Sequence, residues 1–172
     1  MQLRNKSHRI AYLAVLVAIG SAVWVLEELV PRPLPWVKPG LANVATLIAI
    51  YILSPWDGLT VALFRVLIGA LLLGRIGTAG FIISISAAIV SALVMVTVKI
   101  TRLPFSIYGI SLFGALFHGI TQLAVAGYLV YNFRAVIYFL PWVFLPSLLT
   151  GILAGYLASM VISKLPVKLD IV

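Results

Sequence analysis

Apolar residues dominate this chain in six long segments, which are separated by short polar connections. The segments cover residues 10–30, 39–53, 57–73, 78–100, 106–131 and 135–163. Most are close to the roughly 20 residues that an α-helix needs to cross a bilayer. The pattern predicts an all-α integral membrane protein, folded as a compact six-helix transmembrane bundle. Segments 39–53 and 57–73 are short, which fits a compact bundle or helices that cross only part of the membrane.

Several residues mark the expected ends and irregularities of these helices. Pro39 suits a first helical turn, and Asp57 can cap the start of the third segment. Pro141 and Pro146 are expected to kink or break the first half of the sixth. Because the connections are short, with no linker between them, residues 1–172 are predicted to form one membrane domain.

The composition supports a lipid environment. Hydrophobic residues make up 63% of the chain and charged residues only 9%, against roughly 25% charged in soluble domains. The first apolar segment follows three basic residues, as in a signal peptide. At about 20 residues, however, it is longer than the apolar core of a signal sequence, so we expect a retained membrane span.

The distribution of basic residues predicts the orientation. With the N-terminus inside, seven Lys and Arg side chains fall on the inner side and four on the outer side, so both termini are predicted to be cytoplasmic. The four outer residues are Arg32, Lys38, Arg75 and Arg134. Together they could form a mouth that attracts an anion, or each could anchor to lipid headgroups.

The chain lacks the residues that several classes of function require. No phosphate-binding loop of the Gly-x-x-x-x-Gly-Lys-Ser/Thr type occurs, the chain has no cysteine, and its two histidines and two aspartates are far apart. We therefore expect no catalytic residue, no resident metal and no cofactor. The net charge of +8 comes from scattered residues rather than a basic stripe, so nucleic acid is not expected as a partner.

Five polar residues are predicted to lie in the middle or outer half of the membrane: Glu27, Asn43, Arg65, His118 and Gln122. A charge at the depth of Arg65 is costly unless it is paired or hydrated. A water-filled ligand pocket open to the outside would collect these groups, with Lys38 and Asn43 at its rim and wall. The alternatives are a structural Arg65–Glu27 ion pair and interhelical hydrogen bonds from His118 and Gln122.

A ridge of small residues runs along the first segment. Ala14, Ala18 and Ala22 recur every four residues and would let another helix approach closely. At about 100° per residue, Glu27 lies on the opposite face from this ridge. One face could meet a partner while the other faces a ligand, although packing inside the bundle would also explain the alanines.

These features resemble a known class of membrane proteins. The alanine ridge and the six short-looped spans are similar to the substrate-binding S components of energy-coupling factor (ECF) transporters. The stretch KPGLANVATLIAIYILSPWDGLTVALFRVLIGALLLG, residues 38–74, resembles more specifically the Gx transporter family, also named heptaprenyl diphosphate synthase component I.

The resemblance implies a role in uptake. An S component in the bacterial cell membrane binds a small molecule from outside and has no ATPase of its own. Its alanine face, here Ala14, Ala18 and Ala22, docks on a membrane-spanning coupling (T) component that carries two cytoplasmic ATPases. The pocket would be built from the loop after the first span and the outer halves of spans four to six, and the class leaves Arg65 unassigned.

Three functions are therefore compared. The first is an S component that captures a small, anionic or isoprenoid- or quinone-related molecule. The second is a non-catalytic subunit of a heptaprenyl diphosphate synthase, since the chain lacks the Asp-Asp-x-x-Asp motif of such enzymes. The third is a free-standing channel or secondary carrier. The identity of the cargo does not follow from the sequence.

Overall fold

The computed structural model describes residues 6–29, 40–101, 103–129 and 133–165. These residues form α-helices without any β-strand, so the all-helical fold is confirmed over this part of the chain. The helices are α1 (Lys6–Leu29), α2 (Asn43–Ile52), α3 (Pro55–Leu72), α4 (Ala79–Ile100), α5 (Ile107–Leu129) and α6 (Phe133–Lys164).

Five of the helices are long and apolar enough to cross a membrane, and α2 is the exception. Its ten residues span only about 15 Å, half of a typical hydrocarbon core. The prediction that a short second helix crosses only part of the membrane thus fits its observed length. Pro39, which was expected in its first turn, lies outside the described residues, and α2 begins at Asn43.

The start of α3 differs from the sequence prediction. Ser54, rather than Asp57, is the N-cap, because its side chain accepts a hydrogen bond from the backbone N–H of Asp57. The carboxylate of Asp57 instead accepts two hydrogen bonds from Arg9 of α1, at 2.8 and 2.9 Å.

At the other end of α3, Gly74 adopts a positive φ of 62° and closes the helix with a Schellman motif.

The sixth helix continues through both of its prolines. Residues Phe133–Lys164 form one α-helix that contains Pro141 and Pro146, so neither proline breaks the helix, and the alternative expectation of a kink stays a prediction. Membrane helices tolerate proline because neighbouring helices and hydroxyl side chains satisfy the carbonyls that proline leaves without a donor. Near the second proline, the hydroxyl of Thr150 donates to the backbone oxygen of Pro146, four residues earlier in the same helix.

The short helix α2 lies at the centre of the bundle. It contacts each of the other five helices, which follow one another around it in the order α1, α3, α4, α5, α6. We call the end where α1, α3 and α5 finish the upper end, and the opposite end the lower end. Among the described residues, α1 packs only against α2 and α3.

Helices α1 and α3 run parallel and are fastened at several levels. Near the lower end Arg9 pairs with Asp57, and at the upper end Arg75, just beyond α3, pairs with Glu28 at 2.7 Å. Between them the ring of Trp24 covers Gly69 so closely that a Cβ on this glycine would lie 2.4 Å from the ring. The two helices therefore pack as one unit along most of their length.

Helices α4, α5 and α6 pack through small residues. Gly114 of α5 accepts a hydrogen bond from Ser91 of α4, and Ser111 of α5 donates to the backbone of Gly151 in α6. A Cβ on Gly151 would lie only 3.0 Å from the backbone of α5. Such close approach is how membrane helices associate without a hydrophobic driving force between them.

Candidate functional site

The buried face of α1 carries the first residue of the candidate site. Trp24 and Glu27 are buried on this face. The Glu27 carboxylate accepts a hydrogen bond from the backbone N–H of Leu41, just before α2. A carboxylate at this depth needs such partners, because its desolvation is costly. Glu27 thus ties the top of α1 to the chain that leads into α2.

Arg65 of α3 is the largest fully buried side chain in the described part of the chain, with 1% of its surface exposed. Its Nη2 atom donates to the side-chain oxygen of Asn43, the first residue of α2. Its aliphatic stem packs on Gly20 of α1, where a Cβ would lie 3.2 Å from the arginine Cδ. Glu27 supplies the opposite charge and attracts the guanidinium electrostatically. Three helices therefore meet at this arginine.

The start of α2 lies deep in the bundle. Ala45 and Arg65 both lie against Gly20, since a Cβ there would be 3.2 Å from a side-chain atom of each, so the first turn of α2 is level with the middle of α3. Arg65 stands about 10 Å below the last residue of α3 by helical rise. The non-helical residues 40–42 thus lie below the upper ends of α1 and α3. Irregular backbone at such a depth is tolerated where it is buried in protein or lines a water-filled cavity.

His118 and Gln122 of α5 complete the cluster. Both are buried, and the His118 Nε2 and Gln122 Nε2 atoms are 3.1 Å apart. Gly40 joins them to the other residues, because a Cβ on this glycine would lie 3.4 Å from both Asn43 Nδ2 and the His118 ring. Gly40 has a φ of +75°, a conformation that favours glycine. A larger residue would fill the space between α2 and α5.

Three buried polar atoms of the cluster have no hydrogen-bond partner among the described residues. They are Asn43 Nδ2, Thr46 Oγ1 and Arg65 Nε. Buried polar groups in proteins are nearly always paired with protein, ordered water or a ligand. The cluster therefore offers hydrogen bonds that this chain does not use.

Comparison with known proteins identifies the family. A model of the family described as heptaprenyl diphosphate synthase component I matches residues 16–161. The chain belongs to this family. The resemblance expected from residues 38–74 is thereby confirmed, and the family is the one also called Gx transporter or ECF S component. No curated protein matches the chain significantly.

Of the four outer basic residues, the structure of this component I family member describes Arg75 and Arg134, and it places neither in the cluster. Arg75 pairs with Glu28 at the upper end and is half exposed. Arg134 is exposed in the first turn of α6. Lys38 and Arg32 lie outside the described residues. Glu28 thus already balances the charge of Arg75. Ligand binding by Arg75 and Arg134 stays a prediction.

The alanine ridge lies on the outer surface of the bundle. Ala14, Ala18 and Ala22 are all exposed, whereas Gly20, Trp24 and other residues of the opposite face are buried. Within the described chain the ridge therefore does not pack against another helix, which argues against the alternative that it serves internal packing. The surface is available to lipid or to another membrane protein.

Sequence reasoning missed three members of the site. Thr46 lies three residues after Asn43, on the same face of α2, and this spacing could have identified it. Gly20 and Gly40 contribute space rather than a functional group, so no chemical signature marks them. The described residues include no group of three His, Cys, Asp or Glu side chains able to hold a metal ion.

Proposed function

We propose that this chain is the substrate-binding S component of an ECF-type importer in the bacterial cell membrane. It would bind a small molecule from outside, with both termini in the cytoplasm, and would itself catalyse no reaction. The observation that carries the proposal is the division of α1 into two faces. Glu27 faces the buried polar cluster, while Ala14, Ala18 and Ala22 face outward.

The two faces match the two tasks of such a subunit. Intramembrane ionisable residues often mark the path of a substrate or ion, because burying them has a cost that a purely structural helix avoids. A smooth alanine surface permits close contact with a partner helix. On this proposal the partner is a membrane-spanning coupling (T) component bound to two cytoplasmic ATPases.

Co-purification tests the proposal. The tagged chain, expressed in its native background, should recover a coupling protein and two ATPases. Ala18→Trp should abolish this recovery, because an indole would hold the two helices apart. Ala124→Trp on α5 is the matched control, since Ala124 is also exposed on a membrane helix but lies away from the ridge. Recovery that survives Ala14→Trp and Ala18→Trp would disprove docking at the ridge.

The family description supports a second candidate, a non-catalytic membrane subunit of a heptaprenyl diphosphate synthase. In that case the same purification should recover a soluble, aspartate-rich synthase and raise its activity. A third possibility, a carrier without partners, would transport its substrate in proteoliposomes without ATP. The recovered proteins separate these functions directly.

A further inference from the structure

The unused hydrogen-bonding groups of the buried cluster have a consistent chemistry. Asn43 Nδ2 and Arg65 Nε can only donate hydrogen bonds, and the hydroxyl of Thr46 can donate or accept. The Asn43 side-chain oxygen is already engaged by Arg65. A group that satisfies these atoms must therefore bring acceptor atoms, either oxygen or an unprotonated nitrogen.

Among the described residues of the cluster, the charges of Arg65 and Glu27 offset each other. Arg65 carries the positive charge, and Glu27 is close enough to attract it. The cluster also holds His118, which is titratable, and the uncharged side chains of Asn43, Thr46 and Gln122. An anion entering this site would face Glu27 as well as Arg65, so it would gain little attraction and would lose its hydration. An uncharged group would lose much less.

The described residues leave one small gap beside these donors. At Gly40 the absent side chain leaves a space of about the size of one carbon atom. A Cβ there would lie 3.4 Å from Asn43 Nδ2 and 3.7 Å from His118 Nε2. This space borders the unused amide donor directly and lies between α2 and α5.

We propose that this cluster binds an uncharged ligand group that accepts hydrogen bonds from Asn43 and Arg65, such as the carbonyl of an amide or a quinone. The inference rests on the proposed function, because the group would belong to the imported molecule. The outer basic residues suggested an anionic ligand. The buried cluster instead favours an uncharged hydrogen-bond acceptor as the part of the ligand that it binds.

Two probes of equal size test the charge preference. Benzamide is uncharged and bears a carbonyl, whereas benzoate has the same ring and a carboxylate. Calorimetric titration of the purified full-length chain in an uncharged detergent should show benzamide binding at least about tenfold more tightly than benzoate. Tighter binding of benzoate would overturn the proposal. So would binding of neither probe up to its solubility, since the donors would then face water only.

Changing one glutamate should reverse the preference. Glu27→Gln leaves the charge of Arg65 unbalanced, so benzoate should gain about tenfold relative to benzamide. Glu28→Gln is the matched control, because the neighbouring glutamate pairs with Arg75 outside the cluster. Equal effects of the two substitutions would refute the assignment. If Glu27→Gln fails to fold, as its melting curve would reveal, the wild-type comparison still decides.

These results are separate from those that test the importer. The titration uses the isolated chain, and the co-purification requires no ligand. Recovery of the ATPases together with a preference for benzoate would overturn the neutral site and leave the importer. A preference for benzamide without recovery of a coupling partner would support the neutral site and overturn the importer.

Discussion

The guanidinium of Arg65 and the side-chain amide of Asn43 are joined by a hydrogen bond at the point where α2 begins. Both residues are buried, one at the middle of a long helix and one at the start of a short helix. This contact fixes the depth at which the chain turns into α2. The bond uses neither Asn43 Nδ2 nor Arg65 Nε, and both atoms have no hydrogen-bond partner among the described residues.

Replacing Arg65 should be strongly destabilising. Arg65→Leu removes the donor to Asn43 and the positive charge that attracts Glu27, and a buried polar group that loses its partner costs about 1–3 kcal/mol, more if it is charged. The double variant Arg65→Leu/Glu27→Gln should recover part of that loss, because the uncompensated charge is gone. Thermal unfolding in detergent measures both. A double variant less stable than Arg65→Leu would show that Glu27 is not the balancing charge.

Replacing the hydroxyl of Thr46 should stabilise the ligand-free protein. Thr46→Val keeps the shape of the side chain and removes a buried hydroxyl that has no partner among the described residues, a group whose burial costs about 1–3 kcal/mol. Ser91→Ala is the control, because this equally buried hydroxyl donates to Gly114 and its loss should destabilise by about 1 kcal/mol. Melting temperatures that fall for both variants would mean that Thr46 has a partner.

Gly69 should not tolerate even alanine. A Cβ there would lie 2.4 Å from the Trp24 ring, so α1 and α3 would have to separate or the indole would have to turn. We expect Gly69→Ala to cost about 1–3 kcal/mol and to change the tryptophan fluorescence. Gly80→Ala in the first turn of α4 has open space, with its nearest atom at 3.9 Å, and should leave both quantities nearly unchanged. Equal melting temperatures would contradict the packing.

The predicted orientation can be checked with single cysteines, since the chain has none of its own. Ile76 lies between α3 and α4, Leu103 lies between α4 and α5, and both are exposed. If the termini are cytoplasmic, a membrane-impermeant maleimide added to intact cells should label Ile76→Cys and not Leu103→Cys. The reverse labelling pattern would place the upper end of the bundle inside the cell.

Hydrophobic patterning predicted the helices well because each long apolar segment needs a helix to satisfy its backbone in lipid. It also selected the polar residues that the structure brings together, since ionisable groups at membrane depth must face protein. Their role as ligands stays a prediction. The depth of α2 did not follow from the sequence, because it depends on Arg65, Gly20 and Ala45 meeting at one level.

The sequence suggested Arg65 as a partner for Glu27 but could not decide which of the two adjacent glutamates faces the bundle. Glu27 and Glu28 differ by about 100° around α1, and either could have faced Arg65. Packing of Trp24 on Gly69 sets the rotation of the helix, so that Glu27 turns inward and Glu28 reaches Arg75. A basic residue expected at an anion-binding mouth is thus held in a salt bridge at the upper end.

The parallel fastening of α1 to α3 has a mechanical consequence. Arg9–Asp57, Trp24–Gly69 and Glu28–Arg75 span nearly the whole height of the pair, so tilting α1 away from α3 would break contacts at three levels. A movement of α1 caused by contact at its alanine surface would therefore also move α3, which carries the buried guanidinium of Arg65 against the opposite face of α1. A protein that binds the alanine surface could in this way change the geometry of the buried polar cluster. No flexible segment between the surface and the cluster would be needed.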